Sequence, residues 1–104
     1  MNSKFALIIL MLLSACATRT EFAPSISDQK YEVRTPAPKI ELFRSQNPIR
    51  KFLEIGSVNA CCDRDTNALI ERLKEEASKN GGDAMIDLDV NAVHGASASV
   101  IRYE

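Results

Sequence analysis

Two adjacent cysteines, Cys61 and Cys62, are the residues best placed by type to do chemistry in this 104-residue chain. Neighbouring thiols have several uses. They can close on each other, but consecutive Cα atoms lie about 3.8 Å apart, below the roughly 4.4–6.8 Å usual for a disulfide, so the ring is strained and readily reduced. They can each pair with another protein or with a second copy of this chain. Held reduced, they can bind a soft metal together with His94 or Asp63, although two thiolates at zero spacing lack the separation that marks a metal motif. Ordinary loop cysteines without a role are the remaining alternative.

Three carboxylates, Asp83, Asp87 and Asp89, fall largely on the polar face of one alternating segment. They can be read as a hard-cation site, yet the chain lacks the dense oxygen-ligand loop of a calcium motif. Paired carboxylates also serve as acid and base, but nothing in the sequence builds a cleft around them. A solvated sheet face that discourages edge aggregation accounts for them more simply. His94 is the single histidine and sits beside Gly95 in a turn. Ser97 and Ser99 lie near it without the Gly-x-Ser-x-Gly elbow of a nucleophile, and Gly81-Gly82 follows a helical segment rather than opening one, so no phosphate loop is present. The sequence offers no catalytic residues, no metal ligand set and no cofactor motif.

The third cysteine, Cys16, closes an apolar run. A single positive charge, Lys4, precedes nine unbroken apolar residues at 5–13, followed by the small pair Ser14-Ala15. Even thirteen helical residues reach only about 20 Å, short of the ~30 Å hydrocarbon core of a bilayer. A positive start, a short apolar stretch and small residues before a cleavage point describe a secretory signal peptide. Leu13-Ser14-Ala15-Cys16 further resembles the bacterial lipobox. That resemblance implies cleavage before Cys16, a diacylglycerol on its thiol and an acylated amino terminus. Each buried CH₂ contributes about 0.8 kcal/mol, so two or three chains hold a protein on a membrane almost permanently. Ala17, in place of the aspartate that retains such proteins at the inner membrane, implies the periplasmic side of the outer membrane. Cys61 and Cys62 are then the remaining thiols, in an oxidising compartment.

A product beginning at Cys16 carries 12 basic and 14 acidic residues. With no Trp and no basic patch, nucleic acid is not an expected partner. Residues 16–38 contain three prolines, scattered charges and no sustained period, which predicts a lipidated N-terminus and flexible tether reaching a few tens of ångströms, at about 5–6 Å × √n. Tyr31-Glu32-Val33-Arg34 alternates weakly and is at most an edge strand. The expected organisation is a signal peptide at 1–15, the tether at 16–38 and one small domain at 39–104.

Within that domain, residues 39–43 alternate and read as a strand, and Ser45-Gln46-Asn47-Pro48 as a turn. A second strand covers 52–58, with Gly56 at a bulge. Asp63, Asp65 and Thr66 offer N-caps for a helix over 67–80, whose stripe is Leu69, Ile70, Leu73 and Ala77, with Arg72/Glu76 and Glu75/Lys79 as supporting pairs. Asn80-Gly81-Gly82 supplies a left-handed stop. In the next strand Ala84, Ile86, Leu88 and Val90 point one way, which predicts the helix packed on that face. A last strand runs over 97–103. The fold class is α+β: a β-β-α-β-β sheet with one helix on one face.

The stretch "FLEIGSV…ALIERLKEEASKNGGDAMIDLDV" resembles a recurring small bacterial domain: a strand ending in Ile-Gly, an amphipathic helix, then Gly-Ala-Asp-Ala opening a strand. It occurs in small lipoproteins and in domains related to the outer-membrane sensor lipoprotein of the Rcs envelope-stress phosphorelay and to YbjQ-like proteins. The likeness covers about a third of the chain, residues 52–90, and is structural in kind. Gly81-Gly82-Asp83-Ala84 departs mildly from the pattern. The Rcs sensor's two non-consecutive disulfides have no counterpart here, so neither its cysteine arrangement nor its signalling role is carried over. The expectation is a non-enzymatic binding or sensing module, held to the membrane by N-terminal acyl chains and facing an envelope protein partner, with no small-molecule substrate evident. The alternative is a redox- or metal-responsive protein acting through Cys61-Cys62.

Overall fold

The computed structural model describes residues 19–27, 29–91 and 95–104, and among these there are five strands and one helix. The strands are β1 (Arg19–Pro24), β2 (Glu41–Leu42), β3 (Phe52–Cys61), β4 (Ala84–Asn91) and β5 (Gly95–Tyr103). The helix α1 (Thr66–Lys79) lies between β3 and β4 in the chain. The sheet order is β1-β3-β5-β4-β2, antiparallel throughout except for the short parallel pairing of β2 with β4. The architecture is α+β with one helix against a sheet, as the periodicity predicts, but the sheet is mixed and has five strands where four were expected.

Helix α1 follows its sequence closely. Asp65 caps it, its carboxylate accepting from the Asn67 and Ala68 backbone N–H groups at 3.0 and 3.4 Å. Satisfying two otherwise orphaned donors this way is what makes Asp a favoured cap. Leu69, Ile70, Leu73 and Ala77 are all buried against the sheet. The chain leaves the helix through Gly81 in the left-handed region (φ 87), and the Gly82 N–H returns to the Ala77 carbonyl at 2.8 Å. Among the described residues the ion pair on the helix surface is Lys74 with Glu71 at 3.5 Å, in place of the expected Arg72/Glu76 and Glu75/Lys79.

Two corrections come from register. The helix does not pack on the Ala84/Ile86 side of β4. Met85 faces α1, in a core with Ile55, Val58, Leu69, Leu73 and Val100. Ala84 and Ile86 turn the other way and form a second cluster with Ile101, flanked by Phe43, Phe52 and Tyr103. The pairing of β4 with β5 then slips between Ile86 and Asp89, and Asp87 takes a positive φ of 55. One additional residue in a strand reverses every later side chain. Leu88 therefore lands on the helix side with Met85. A second bulge, between Glu54 and Gly56 in β3, lies where the sequence placed one and turns Ile55 into the core.

The tether expected at 16–38 is corrected over its described part. Arg19–Pro24 is a strand, paired antiparallel with β3 from Arg19↔Cys61 to Pro24↔Gly56. Its Phe22 packs on the core, and so does Tyr31 farther along. The Ser25 N–H donates to the Ile55 carbonyl at 3.0 Å, which ties down the turn after β1. Residues 29–38 have no regular structure but lie across the domain as a strap; Tyr31 to Arg34 is not a strand. The prolines limit ladder bonding, while Phe22, Tyr31 and Arg34 supply attachment that periodicity does not register.

Candidate functional site

Cys61 and Cys62 are joined to each other, with Cα atoms 3.7 Å apart. Of the alternatives left open by the sequence, the intrachain ring is the arrangement present. It stands at the end of β3, where the sheet stops and three residues lead into α1. Cys62 has φ 79, a region L residues adopt only when something holds them there. The Asp65 N–H donates to the Asp63 carboxylate at 2.9 Å, so a local turn and the helix cap follow the ring directly. Cys62 is exposed and Cys61 half-buried.

Strand pairing fixes what surrounds Cys61. It lies opposite Arg19 on β1 and opposite Gly95 on β5. Directly opposed residues in an antiparallel pair share a face, with Cβ atoms about 4.5–5.5 Å apart. Arg19 and Cys61 therefore project to the same side, away from α1, and Gly95 adds no side chain there. A shallow cleft of about 370 Å³ results, lined among others by Arg19, Glu21, Asn59, Cys61, Asn91 and Ser97. The Gly95 N–H donates to the Asn91 side-chain oxygen at 3.2 Å, which closes one end of it.

Asp83 has a structural part. Its carboxylate takes two bonds from the Arg34 guanidinium, at 3.1 Å from Nε and 3.0 Å from Nη2, and a third from the Tyr103 backbone N–H at 2.8 Å. Arg34 Nη2 also donates to the Tyr103 carbonyl at 3.2 Å. Burial pushes the Asp83 carboxyl up, but the bonds from Arg34 and Tyr103 and the charges of Arg34 and Arg102 outweigh it and hold it below the usual carboxylate range. The hydrogen bond to Asp83 raises Arg34 in turn. Alongside, Arg102 Nη1 donates to the Glu32 and Gly81 carbonyls at 2.8 and 2.7 Å, and Arg50 lies 4.2 Å over the Tyr103 ring. Burial, with help from Glu41, raises the Tyr103 hydroxyl against the pull of Arg50.

The three aspartates do not converge. Asp83 is in the clamp, Asp87 on the bulge and Asp89 beyond it, the last two exposed. Among the described residues no three His, Cys, Asp or Glu side chains are grouped to hold a metal ion. Cys16 and His94 lie outside the described residues. A groove of about 590 Å³ between β2 and α1 has Ile40 and Ile70 on its floor and mixed charges, Lys39, Glu41, Arg44, Glu71 and Lys74, on its rims. Arg19 and Arg34 are the residues sequence reasoning missed, since both lie in the stretch read as a tether. What the site can do chemically is thiol–disulfide exchange at a vicinal pair whose Cys62 is exposed and whose Cys61 lies across the strand pair from Arg19. No helix among the described residues is long and apolar enough to cross a membrane. No family model, no curated protein and no solved structure matches this chain.

Proposed function

We propose that this protein is a lipid-anchored lipoprotein of the outer membrane, displaying its small α+β domain on the periplasmic side as a non-enzymatic binding or sensing module. One observation carries the reading: Leu13-Ser14-Ala15-Cys16 closes a nine-residue apolar run that begins just after Lys4. The run is too short to span a bilayer as a helix, and acylation of Cys16 gives it a purpose. An envelope protein is the partner this location implies, and the resemblance to the Rcs stress-sensor domain suggests an envelope-stress setting. The test is the intact mass of the mature polypeptide. It is expected to begin at Cys16 and to exceed its amino-acid mass by two or three acyl chains, and Cys16→Ser is expected to release the protein from membranes. A mature chain that begins elsewhere, or that weighs only what its residues weigh, refutes the reading.

The bonded Cys61–Cys62 pair favours a second reading, a redox-responsive protein. With both sulfurs bonded to each other, the metal-responsive variant needs prior reduction. Thiol counts with and without reductant, and the phenotype of a Cys61→Ser/Cys62→Ser double change, separate this from a purely structural ring.

A further inference from the structure

We infer that the Cys61–Cys62 ring is a thiol–disulfide exchange site with a fixed direction: Cys62 receives the incoming thiolate, and Cys61 leaves with its charge offset by Arg19. The inference rests on the redox reading of the pair and not on acylation at Cys16. Three placements carry it. Cys62 is the exposed residue of the two, beyond the last paired residue of β3, whereas Cys61 is half-buried within the ladder. Arg19 is the cross-strand neighbour of Cys61 and lines the same cleft, so a cationic side chain rises from the position opposite one cysteine of the two. Among the described residues no ion pair claims Arg19. Its nearest acidic neighbour on that face, Glu21, sits one step along, opposite Asn59.

The partner is a protein dithiol. One of its thiolates attacks Cys62 Sγ in line with the disulfide. A sulfur–sulfur bond forms between partner and Cys62 as the Cys61–Cys62 bond breaks, and the electron pair leaves on Cys61 as a thiolate. The partner's second thiolate then attacks its own sulfur in the mixed disulfide and releases Cys62 as a thiolate. Two electrons have moved: the ring is reduced to a dithiol and the partner is oxidised to a disulfide. Exchange is faster when the departing thiol is a weaker base, and a neighbouring cation makes it one.

The direction can be read with glutathione as the attacking thiol. The full mature protein in detergent is mixed with it, quenched with an alkylating maleimide and mapped by peptide mass. The glutathione adduct is expected on Cys62 and the maleimide on Cys61; an adduct mainly on Cys61, or shared evenly, overturns the inference. Arg19→Gln is expected to slow exchange about threefold while Arg19→Lys retains most of the rate. Equal rates in all three proteins remove Arg19 from the account. Two free thiols at 61 and 62 before glutathione is added defeat both this inference and the redox reading, whereas a bonded pair attacked at Cys61 defeats only the inference. Peptide mapping reads Cys16 separately, so an absent acyl group leaves the result untouched.

Discussion

Asp83 fastens three parts of the chain at one point: the strap through Arg34, the end of β5 through the Tyr103 N–H, and its own position just before β4, where its N–H donates to the Ile101 carbonyl at 2.8 Å. Its side chain is only 10 % exposed, and replacing it takes a charged acceptor from the Tyr103 N–H and from the partly exposed Arg34 guanidinium. Asp83→Asn is expected to cost about 2 kcal/mol at neutral pH, measured as a fall in denaturation midpoint. The pH dependence has a definite sign. The folded-state pKa lies below the unfolded one, so this contribution is full above the ordinary carboxylate range and is lost as pH falls through the folded value. The gap between wild type and Asp83→Asn should therefore narrow on acidification below about pH 4; a gap constant with pH refutes the clamp. None of this was legible in the sequence. Asp83 sits in an alternating run with Asp87 and Asp89, and its partner is 49 residues away in a stretch without period.

The elements were legible to the extent that their signals were local. Helix α1 and the core stripe of Leu69, Ile70, Leu73 and Ala77 were read in place, because cap, spacing and stop all lie within the helix. The face of β4 was not: Ala84, Met85 and Ile86 are buried on both sides of the sheet, so alternation there does not say which side meets the helix, and the bulge at Asp87 then exchanges the sides of the residues after it. Strand β1 was missed altogether: it is an edge strand that packs one apolar side chain, the half-buried Phe22, on the core and ends in a proline. Its attachment depends on close approach at Gly56, where an added Cβ would meet the Phe22 ring and the Ala23 carbonyl oxygen. Gly56→Ala is expected to destabilise by about 1–3 kcal/mol, the usual range for overpacking. Phe22→Ala should release β1 while leaving the β3–β5–β4 ladder intact. Amide hydrogen exchange distinguishes the two behaviours, with loss of protection confined to β1 in the Phe22 variant. Uniform loss across the sheet would show β1 to be inseparable from the rest.

At the scale of the molecule, the folded unit begins before residue 39. A chain starting at Lys39 loses β1, the Tyr31 packing and the Arg34–Asp83 clamp together, whereas one starting at Arg19 keeps them. The shorter form is expected to melt at least about 10 °C lower, since each kcal/mol moves a domain of this size by roughly 4–8 °C. Equal melting temperatures, measured by circular dichroism, would return residues 19–38 to the status of a linker. The fold class could be read from patterns, but the extent of the domain could not, because the strap is held by single side chains. The same pairing that draws β1 into the sheet shortens the leash. Arg19 follows Cys16 by three residues, a reach of about 11 Å at full extension. If Cys16 is acylated as proposed, the Arg19–Cys61 corner of the sheet is held against the headgroups, and a protein that engages this corner would have to do so at the bilayer surface.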